Sequence, residues 1–462
     1  MLRIFRHFVP VPALALGMCE VVLLSMTFYL VAAPIDFSHF QIALTSAQCS
    51  IGTAALALLA MTAVGLYNHD VFLDSRLMAI KVVTALLLMA PAVALVGSLY
   101  GVGGSWPAWC AKASLVWLLS VLLTRTIFLY ISDAELFRRP VLVLGTGVRA
   151  ARIADKLERG TDRSFSVRAF VHACGDLRLV MGARLDLDRT NDEYALANYA
   201  KQIGAREVVV ATDERRGMPV LQLLHCKIVG INVIDYLTFW EREDQKVELE
   251  ALQPSWLVFS DGFRQGLLID AAKRLFDLAA AFVLLAFVLP LMVFTSIAIK
   301  LDDGGPLLYR QERVGRGGKP FTLLKFRSMR VDAESDGAPR WAADEDPRVT
   351  RVGNIIRKFR IDELPQLFNV LRGDMSFVGP RPERPFFVDE LALKIPFYRE
   401  RHSVKPGITG WAQVNYPYGA SLDDARQKLA YDLYYVKNRT LFLDFVVLIQ
   451  TVRVILFREG GR

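Results

Sequence analysis

Two adjacent carboxylates, Asp362 and Glu363, lie in the segment RKFRIDELPQLFNVLRGDMSFVGPRP, residues 357–382. Apolar residues recur after them at helical spacing, and Gly373 can end that helix. Asp362 is therefore predicted to cap a helix start, where free N–H groups and the helix dipole favour a phosphoryl group. A carboxylate with cations around it can act as a nucleophile toward phosphorus. The segment predicts phosphoryl-transfer chemistry.

Composition indicates a chain divided between bilayer and water. Of the 462 residues, 53% are hydrophobic and 22% are charged, and the mean hydropathy is +0.31. The net charge of +8 favours anionic partners, which include lipid headgroups, nucleotide phosphates and nucleic acid. The five cysteines show no CxxC spacing, so neither a disulfide framework nor a zinc site is predicted.

The first 135 residues are predicted to form a four-helix transmembrane bundle. Each of its apolar segments approaches the ~20 residues that cross the hydrocarbon of a bilayer. Basic residues flank the two ends and the second connection, which places both ends of the bundle in the cytoplasm by the positive-inside rule. The first segment is interpreted as an anchor and not a removable signal. The segments lie at roughly 8–33, 44–67, 79–101 and 108–131.

Residues 136–262 are predicted to form a Rossmann-like α/β domain with parallel strands. Gly145-Thr146-Gly147 with Ala150 approaches the dinucleotide fingerprint. The acidic residue expected at the end of the second strand is absent, and His172 stands there. Two interpretations stay open: a membrane-bound NAD(P)-dependent sugar-nucleotide oxidoreductase, or a structural or regulatory domain that binds some other nucleotide or none.

The apolar run from Leu275 to Ile299 is predicted to be re-entrant, over about residues 273–300. Lys273 and Lys300 flank it, so both of its ends favour the cytoplasmic face. Pro290 removes a helix hydrogen bond in the middle and favours a bend. The alternative is a kinked fifth transmembrane helix, which would place residues 301–462 outside the cell.

A basic segment follows, with seven cations and one acid between Arg310 and Arg330. Its glycines suit a loop that approaches phosphates. Nucleic acid is not predicted as its partner, because nucleic-acid binding would not explain the bilayer segments; anionic membrane lipid is the alternative. The C-terminal segment from Tyr431 combines apolar, aromatic and basic residues, as in a helix that lies along the interface or packs under a domain.

Five motifs together resemble the bacterial sugar transferases, specifically the monotopic phosphoglycosyl transferases. In chain order they are KRLFD with its Pro-containing hydrophobic helix, LLKFRSM, RIDELPQLFNVLRGDMSFVGPRP, KPGITGWAQV and YDLYYVKN. The resemblance covers about residues 271–462. The N-terminal spans and the α/β domain are similar to the large, WbaP-like members, including those tied to exopolysaccharide synthesis. One departure is Phe359-Arg360-Ile361, where many members have Thr-Ser-Leu.

The resemblance implies transfer of a sugar 1-phosphate from a UDP-sugar to undecaprenyl phosphate, with release of UMP. By matching position, Asp362 would be the nucleophile that becomes a phosphosugar ester, and Glu363 would position the dyad. Both carboxylates would hold Mg²⁺, a cation that accepts one or two carboxylates together with substrate phosphates. The cations implied to bind the substrate are Arg357, Arg381, Lys325 and Arg327.

The predicted fold class is a membrane protein, α plus α/β, with a mainly α catalytic domain over 263–462 that contains the re-entrant helix. We expect a multi-pass protein of the bacterial cytoplasmic membrane with the catalytic and α/β domains on the cytoplasmic side. The large relatives imply a homodimer. Besides the oxidoreductase, a non-enzymatic scaffold for polysaccharide assembly is a competing hypothesis, although the intact RIDELPQL and PRP sequences favour an enzyme.

Overall fold

The computed structural model describes residues 2–9, 11–32, 40–67, 75–99, 106–132, 138–158, 164–172, 176–180, 185–187, 192–214, 216–263, 266–330, 348–417, 419 and 421–457. These residues form two compact units. The first contains Met1–Ile4, Phe8–Leu58 and Leu86–Ala251, and the second contains Phe5–His7, Leu59–Ala85 and Leu252–Arg462.

Long apolar helices occupy the four segments predicted to cross the membrane. Of the described residues, however, only Leu267–Asp302 has both the length and the hydropathy to cross a bilayer, and the bundle's insertion stays a prediction. Glu20 and Arg125 are each 1% exposed and form an ion pair of 3.1 Å within the first unit. The helices are α1 (Val11–Ala32), α2 (Phe40–Val64), α3 (Ser75–Leu99) and α4 (Trp106–Ser132), and two short strands, β1 (Leu2–Ile4) and β2 (His7–Val9), precede α1.

The first unit also contains the predicted parallel α/β sheet, which is confirmed. Within its described residues the strand order is β5-β4-β3-β6-β7, and all neighbours are parallel. Val and Leu side chains from the central strands are buried against Leu196, Ala197 and Ala200 of a covering helix. The strands are β3 (Arg139–Leu144), β4 (Phe165–His172), β5 (Leu185–Asp186), β6 (Glu207–Val210) and β7 (Asn232–Asp235). The helices are α5 (Val148–Glu158), α6 (Ala195–Gln202), α7 (Val220–Ile228) and α8 (Tyr236–Asp244).

The second unit is mainly helical and carries two small sheets. Strands β8 (Leu308–Val314) and β9 (Pro320–Phe326) pair as an antiparallel hairpin, and β10 (Ser376–Val378) and β11 (Gly407–Thr409) pair in parallel. Its helices are α9 (Pro254–Phe259), α10 (Leu267–Asp303), α11 (Arg351–Lys358), α12 (Gln366–Arg372), α13 (Pro385–Lys394), α14 (Trp411–Asn415), α15 (Leu422–Asn438) and α16 (Leu441–Phe457).

Helix α10 is longer than predicted and is not interrupted by its proline. It runs for 37 residues with Pro290 inside it, and Gly304 ends it in a left-handed conformation. The expectation of helix ends at 273 and 300 was therefore too narrow. Pro290 removes one N–H donor, but the turns on both sides keep the helix hydrogen-bonded. The re-entrant path in a bilayer stays a prediction.

Charged residues of the KRLFD motif fix the start of α10 inside the second unit. Lys273 Nζ forms a buried ion pair of 2.6 Å with Asp444 of α16 and also donates to the carbonyl of Val378. Asp277 accepts hydrogen bonds from Ser376 Oγ and the Phe377 backbone N–H. The motif therefore joins α10 and α16 to strand β10.

The N-terminal residues Phe5–His7 belong to this second unit, which the sequence did not reveal. His7 Nδ1 lies 3.0 Å from the hydroxyl of Tyr434, and its ring packs edge-on against Trp411. Burial lowers the pKa of His7 to about 4, so the imidazole is neutral at pH 7. The initial segment, interpreted as the beginning of an anchor, contributes packing to the unit that contains Asp362.

Replacing Lys273 by Met should destabilise the second unit by about 3–5 kcal/mol, because the buried Asp444 carboxylate loses its charged partner. Denaturant unfolding in detergent, followed by tryptophan fluorescence, measures the change. Lys394→Met is the control: its pairing with Glu390 is about half exposed, so its loss should cost less than about 1 kcal/mol. The double variant Lys273→Met/Asp444→Leu should recover most of the loss. Equal unfolding of Lys273→Met and wild type would contradict the anchoring role.

Candidate active site

The acidic dyad lies in a tight turn that precedes a helix. Residues Ile361–Glu363 form a 3₁₀ turn, and α12 begins only at Gln366 with Pro365 at its N-cap position. The expectation that Asp362 caps this helix was wrong, because the turn separates its carboxylate from the helix start. Arg360 enters the turn with φ of 56°, a left-handed conformation that a non-glycine residue adopts at a cost.

Three cations surround the second member of the dyad. Lys325 Nζ lies 2.9 Å and Arg381 Nη2 lies 3.0 Å from the same oxygen, Glu363 Oε1. Arg360 Nη1 lies 3.9 Å from the other oxygen, Oε2. Lys325 is also 3.9 Å from Asp362 Oδ2. Both carboxylate residues are 9% exposed, so the ion pairs act where water screens little.

The two carboxyl groups differ in acidity for a physical reason. Burial raises the pKa of Asp362, the positive charge of Lys325 opposes that rise, and the negative charge of Glu363 adds to it. Burial also acts to raise the pKa of Glu363, but Lys325, Arg381 and Arg360 outweigh it and hold that pKa well below its usual range. Glu363 therefore loses its proton at a lower pH than Asp362. Ionisation of Asp362 costs more free energy than ionisation of Glu363.

Arg381 is positioned by the close pairing of strands β10 and β11. Gly379 N–H donates to the Thr409 carbonyl, and Gly407 N–H donates to the Pro380 carbonyl. A Cβ at Gly379 would lie 2.3 Å from the backbone oxygen of Lys405, so only glycine allows this approach. The VGPRP and KPGITG motifs thus form one structure that presents Arg381 to the dyad.

Lys325 is positioned by a residue that sequence reasoning missed. The Asn369 side chain on α12 is fully buried, accepts from the Leu324 N–H at 3.0 Å and donates to the Thr322 carbonyl at 2.7 Å. It thereby fixes strand β9 against the helix that follows the dyad. A polar residue at an otherwise apolar helix position was the available signal, since a buried amide needs hydrogen-bond partners.

The other two predicted cations lie in different surroundings. Arg357 on α11 is close enough for its charge to lower the pKa of Asp362. Arg327 follows strand β9, and its backbone N–H donates to the Leu307 carbonyl. Its guanidinium lies against Gly305, where a Cβ would be 2.0 Å from Arg327 Nη1. The structure thus brings Lys325, Arg381 and Arg357 to the dyad, and the substrate-binding role of Arg327 stays a prediction.

A cavity of about 400 Å³ extends from Glu363 and Arg381 into the second unit. Arg401 and Asp432 line it and form a buried ion pair of 2.8 Å. Arg401 also donates to the backbone carbonyl of Arg381, the residue whose guanidinium pairs with Glu363. Burial raises the pKa of Asp432 to about 6, against the opposing charge of Arg401.

A divalent cation fits the chemistry of the dyad. In the described part of the chain, no group of three or more His, Cys, Asp or Glu side chains is placed to hold a metal ion. Mg²⁺ does not require one, because it keeps several waters and accepts one or two carboxylates together with substrate phosphate oxygens. Asp362 and Glu363 provide such a set. Since Glu363 Oε1 already accepts from two cations, Asp362 has the greater capacity as a ligand.

In the first unit, a carboxylate of the protein itself, that of Asp213, occupies the helix start after the glycine turn. The Asp213 carboxylate accepts from the N–H groups of Val148 and Arg149 at 2.8 and 3.0 Å, at the start of α5. A Cβ at Gly147 would lie 2.0 Å from Asp213 Oδ2. A dinucleotide pyrophosphate normally accepts hydrogen bonds from these N–H groups. The predicted strand, turn and helix are present, but nothing in this geometry supports the oxidoreductase alternative.

The second unit thus combines an acidic dyad held by cations, a cavity beside it and one helix long and apolar enough to cross a bilayer. The sequence model of the family described as "Bacterial sugar transferase" matches residues 268–458, which include the dyad, its cations and most of the cavity. The chain belongs to the bacterial sugar transferase family.

Among its relatives is the UDP-N-acetylgalactosamine-undecaprenyl-phosphate N-acetylgalactosaminephosphotransferase of Aeromonas hydrophila, 52% identical over 41% of this chain and 45% of the relative. The uncharacterized sugar transferase EpsL of Bacillus subtilis is 46% identical over 41% of this chain and 89% of that protein. The undecaprenyl-phosphate glucose phosphotransferase of Komagataeibacter xylinus is 34% identical over 70% of this chain and 60% of that protein. The chain therefore spans less than two thirds of the first and third of these relatives.

Asp213→Ala should lower the free energy of unfolding of the first unit by about 1 kcal/mol, because two N–H groups at a helix start lose their acceptor. Glu214→Ala is the matched control, since this neighbouring side chain is exposed. In parallel, titration of the wild-type protein with NAD⁺ should show no saturable binding. Micromolar NAD⁺ affinity, or equal stability of the two variants, would contradict the assignment of Asp213 as the group that occupies this helix start.

Proposed function

We propose that the protein transfers a sugar 1-phosphate from a UDP-sugar to undecaprenyl phosphate and releases UMP, through a covalent intermediate on Asp362. Family membership and the substrates in the relatives' names support the reaction class. The observation that carries the proposal is the unequal pairing within the dyad. Glu363 is fixed between Lys325 and Arg381 at about hydrogen-bond distance, whereas Lys325 is 3.9 Å from Asp362.

In the first step, a carboxylate oxygen of Asp362 attacks the phosphorus that bears the sugar. An O–P bond forms, the bond from that phosphorus to the oxygen of UMP breaks, and UMP leaves with the bond's electron pair. Lys325 Nζ lies 3.9 Å from this carboxylate, so a positive charge stands close to the attacking oxygen and to the phosphoryl group that it meets.

In the second step, a phosphate oxygen of undecaprenyl phosphate attacks the same phosphorus. The bond between Asp362 and phosphorus breaks, the aspartate carboxylate is restored, and the sugar leaves on undecaprenyl diphosphate. The two substrates thus use the dyad in succession, so they need not occupy the cavity together. Arg381 lies beside the dyad throughout and can bind phosphate oxygens of either substrate.

The cations and a divalent metal share the stabilisation of the transferring group. Lys325, Arg381 and Arg357 are fixed positive charges, which require little reorganisation when charge develops on the phosphoryl oxygens. Mg²⁺, when held by Asp362 and Glu363, would supply Lewis-acid polarisation of the donor's diphosphate. The ion pairs of Glu363 with Lys325 and Arg381 fix this carboxylate and so orient the dyad.

The cellular setting is part of the same proposal. We propose a multi-pass protein of the bacterial cytoplasmic membrane, with the domain ranges 1–135, 136–262 and 263–462 and the two later domains on the cytoplasmic side. Basic residues at both ends of α10 and its apolar length support this arrangement. The initiating step of exopolysaccharide or another surface glycan, and a homodimer, rest on the resemblance to the large members.

Asp362→Asn should reduce UMP release from the UDP-sugar by more than about 10⁴-fold, because an amide cannot replace the carboxylate as nucleophile. The assay offers UDP-glucose and UDP-N-acetylgalactosamine, which correspond to the sugars in the relatives' names, with undecaprenyl phosphate. Without the lipid, wild type should release at most one UMP per site and gain the mass of a phosphosugar on residue 362.

The matched control is Asp389→Asn, which alters the same dipeptide, Asp389-Glu390, where the aspartate is 72% exposed. It should turn over at the wild-type rate. Turnover by Asp362→Asn, or a wild-type protein that carries no added mass after exposure to donor, would overturn the covalent route.

Lys325→Met should move the acidic limb of the pH-rate profile to higher pH. The reaction requires ionised Asp362, and the Lys325 charge lowers the pKa of that carboxyl, so its removal raises the pKa further and activity is lost at a higher pH as acid is added. The rate of UMP release, measured from pH 5 to 9, should also fall by about a hundredfold at its maximum. Lys319→Met, in the exposed turn of the same hairpin, should leave the profile in place. An unmoved acidic limb in Lys325→Met would show that Asp362 does not govern it.

A further inference from the structure

The Arg381 loop, residues 378–383, is held by its carbonyl oxygens. Pro380 and Pro382 lack N–H groups, so the loop cannot donate backbone hydrogen bonds at the positions on either side of Arg381. Donors from other elements bind its carbonyls instead. They are Lys273 Nζ and the Tyr435 hydroxyl to Val378, the Gly407 N–H to Pro380, Arg401 Nη2 to Arg381, Arg313 Nη1 to Pro382 and the Val314 N–H to Glu383.

Of these donors, Arg401 binds Arg381 itself. Its Nη2 atom lies 3.0 Å from the Arg381 carbonyl oxygen and 2.8 Å from Asp432 Oδ2. Its Nη1 atom donates to the Tyr398 hydroxyl at 2.7 Å. Arg401 is 5% exposed and Asp432 is 1% exposed, so water screens these contacts little. The Arg401 guanidinium is therefore fixed by its partners, and it fixes the main chain of Arg381 in turn.

Helix α15 holds the Arg381 loop at two points. Asp432 of this helix pairs with Arg401, and Tyr435, three residues further along, donates to the Val378 carbonyl at 2.9 Å. Residues three apart lie on the same face of a helix. The YDLYYVKN motif thus directs one helix face to the loop, which its sequence did not reveal.

We propose that the Arg401–Asp432 ion pair positions Arg381 for the transfer reaction. This assignment rests on the proposed function and adds to it two positioning residues that act through Arg381. Arg401 fixes the main chain of Arg381, and Asp432 fixes Arg401. The Arg381 guanidinium is thereby held 3.0 Å from Glu363 Oε1, where it also meets the phosphate oxygens of the substrate.

The Arg381 side chain needs this support because it is only partly enclosed. It is 33% exposed, and a long side chain at that exposure keeps much of its rotational freedom. Its guanidinium is placed accurately only if the main chain that carries it is fixed. A misplacement of about 1 Å near reacting groups costs on the order of a hundredfold in rate. The hydrogen bond from the buried Arg401 supplies the constraint.

Net stability does not explain the ion pair. The cost of removing both charges from water is similar to the attraction that they gain, so a buried pair contributes little to net stability. Apolar side chains of similar volume often replace such a pair without loss. Apolar side chains have no donor for the Arg381 carbonyl, however. The pair therefore serves the orientation of the loop.

Removal of the whole pair separates orientation from stability. The pair variant, Arg401→Met/Asp432→Leu, leaves neither charge without its partner. The control variant, Arg439→Met/Asp270→Leu, removes another buried arginine and its aspartate, which lies at the start of α10. Both sets of changes are made in the wild-type protein and in Arg381→Met. The kcat and the KM for the UDP-sugar are measured from UMP release with undecaprenyl phosphate, and hydrogen exchange is measured for residues 377–384.

We expect the pair variant to lower kcat by about 30- to 100-fold and to change the KM for the UDP-sugar by less than about threefold, because a misplaced Arg381 stabilises the developing charge poorly. In the Arg381→Met protein the same changes should lower kcat by less than about threefold, since the pair acts through Arg381. Hydrogen exchange of the Arg381 loop should be faster in the pair variant. The control variant should keep kcat within about twofold of wild type.

Equal factors of loss in the wild-type and Arg381→Met proteins would overturn the positioning role, because the pair would then act independently of Arg381. An unchanged kcat in the pair variant, with or without a raised KM, would overturn it too. If the pair variant does not fold, Asp432→Asn keeps the size of the side chain and is judged by the same criteria, with an expected loss in kcat of about tenfold. A wild-type protein that releases no UMP would instead overturn the proposed transfer reaction itself, and this assignment with it.

Discussion

The structure of the second unit depends on the ion pairs that hold Glu363. Two neighbouring carboxylates are buried together, and removing such charges from water costs several kcal/mol each unless cations compensate. Lys325 and Arg381 provide the compensation at 2.9 and 3.0 Å, and they come from a hairpin and from a loop after strand β10. The hairpin, the loop and the turn of the dyad must therefore meet at one point for the fold to be stable.

The side chains around the dyad satisfy this requirement mainly through buried polar contacts. Asn369 fixes the hairpin to α12, and the glycine at 379 lets the Arg381 loop approach strand β11 closely. Arg274 donates to the carbonyls of Val370 and Leu371 at the end of α12, which binds α10 to the same helix. Helix α10 and the dyad thus belong to one packed structure, so the position of one relative to the other is fixed.

Local sequence patterns predicted the elements well and the long-range contacts poorly. The parallel strands, the glycine turn before α5 and the stop of α12 at Gly373 follow from patterns within a few residues. The position of Asp362 was wrong because the left-handed Arg360 inserts a turn that hydrophobic periodicity does not reveal. The contacts of Asn369 and Asp213 join residues about 45 and 65 positions apart, and no local pattern encodes such pairs.

The segment Phe359-Arg360-Ile361 stands where many members of the family have Thr-Ser-Leu, and two of its residues line the cavity beside the dyad. Arg360 adds a third cation to Glu363, but at 3.9 Å and with 37% of its side chain exposed, so water screens most of its effect on the carboxylate. Arg360 also lines the cavity, as does Phe359, its neighbour in the sequence. Arg360 is therefore a weaker partner of Glu363 than Lys325 and Arg381, which lie within hydrogen-bond distance of the carboxylate.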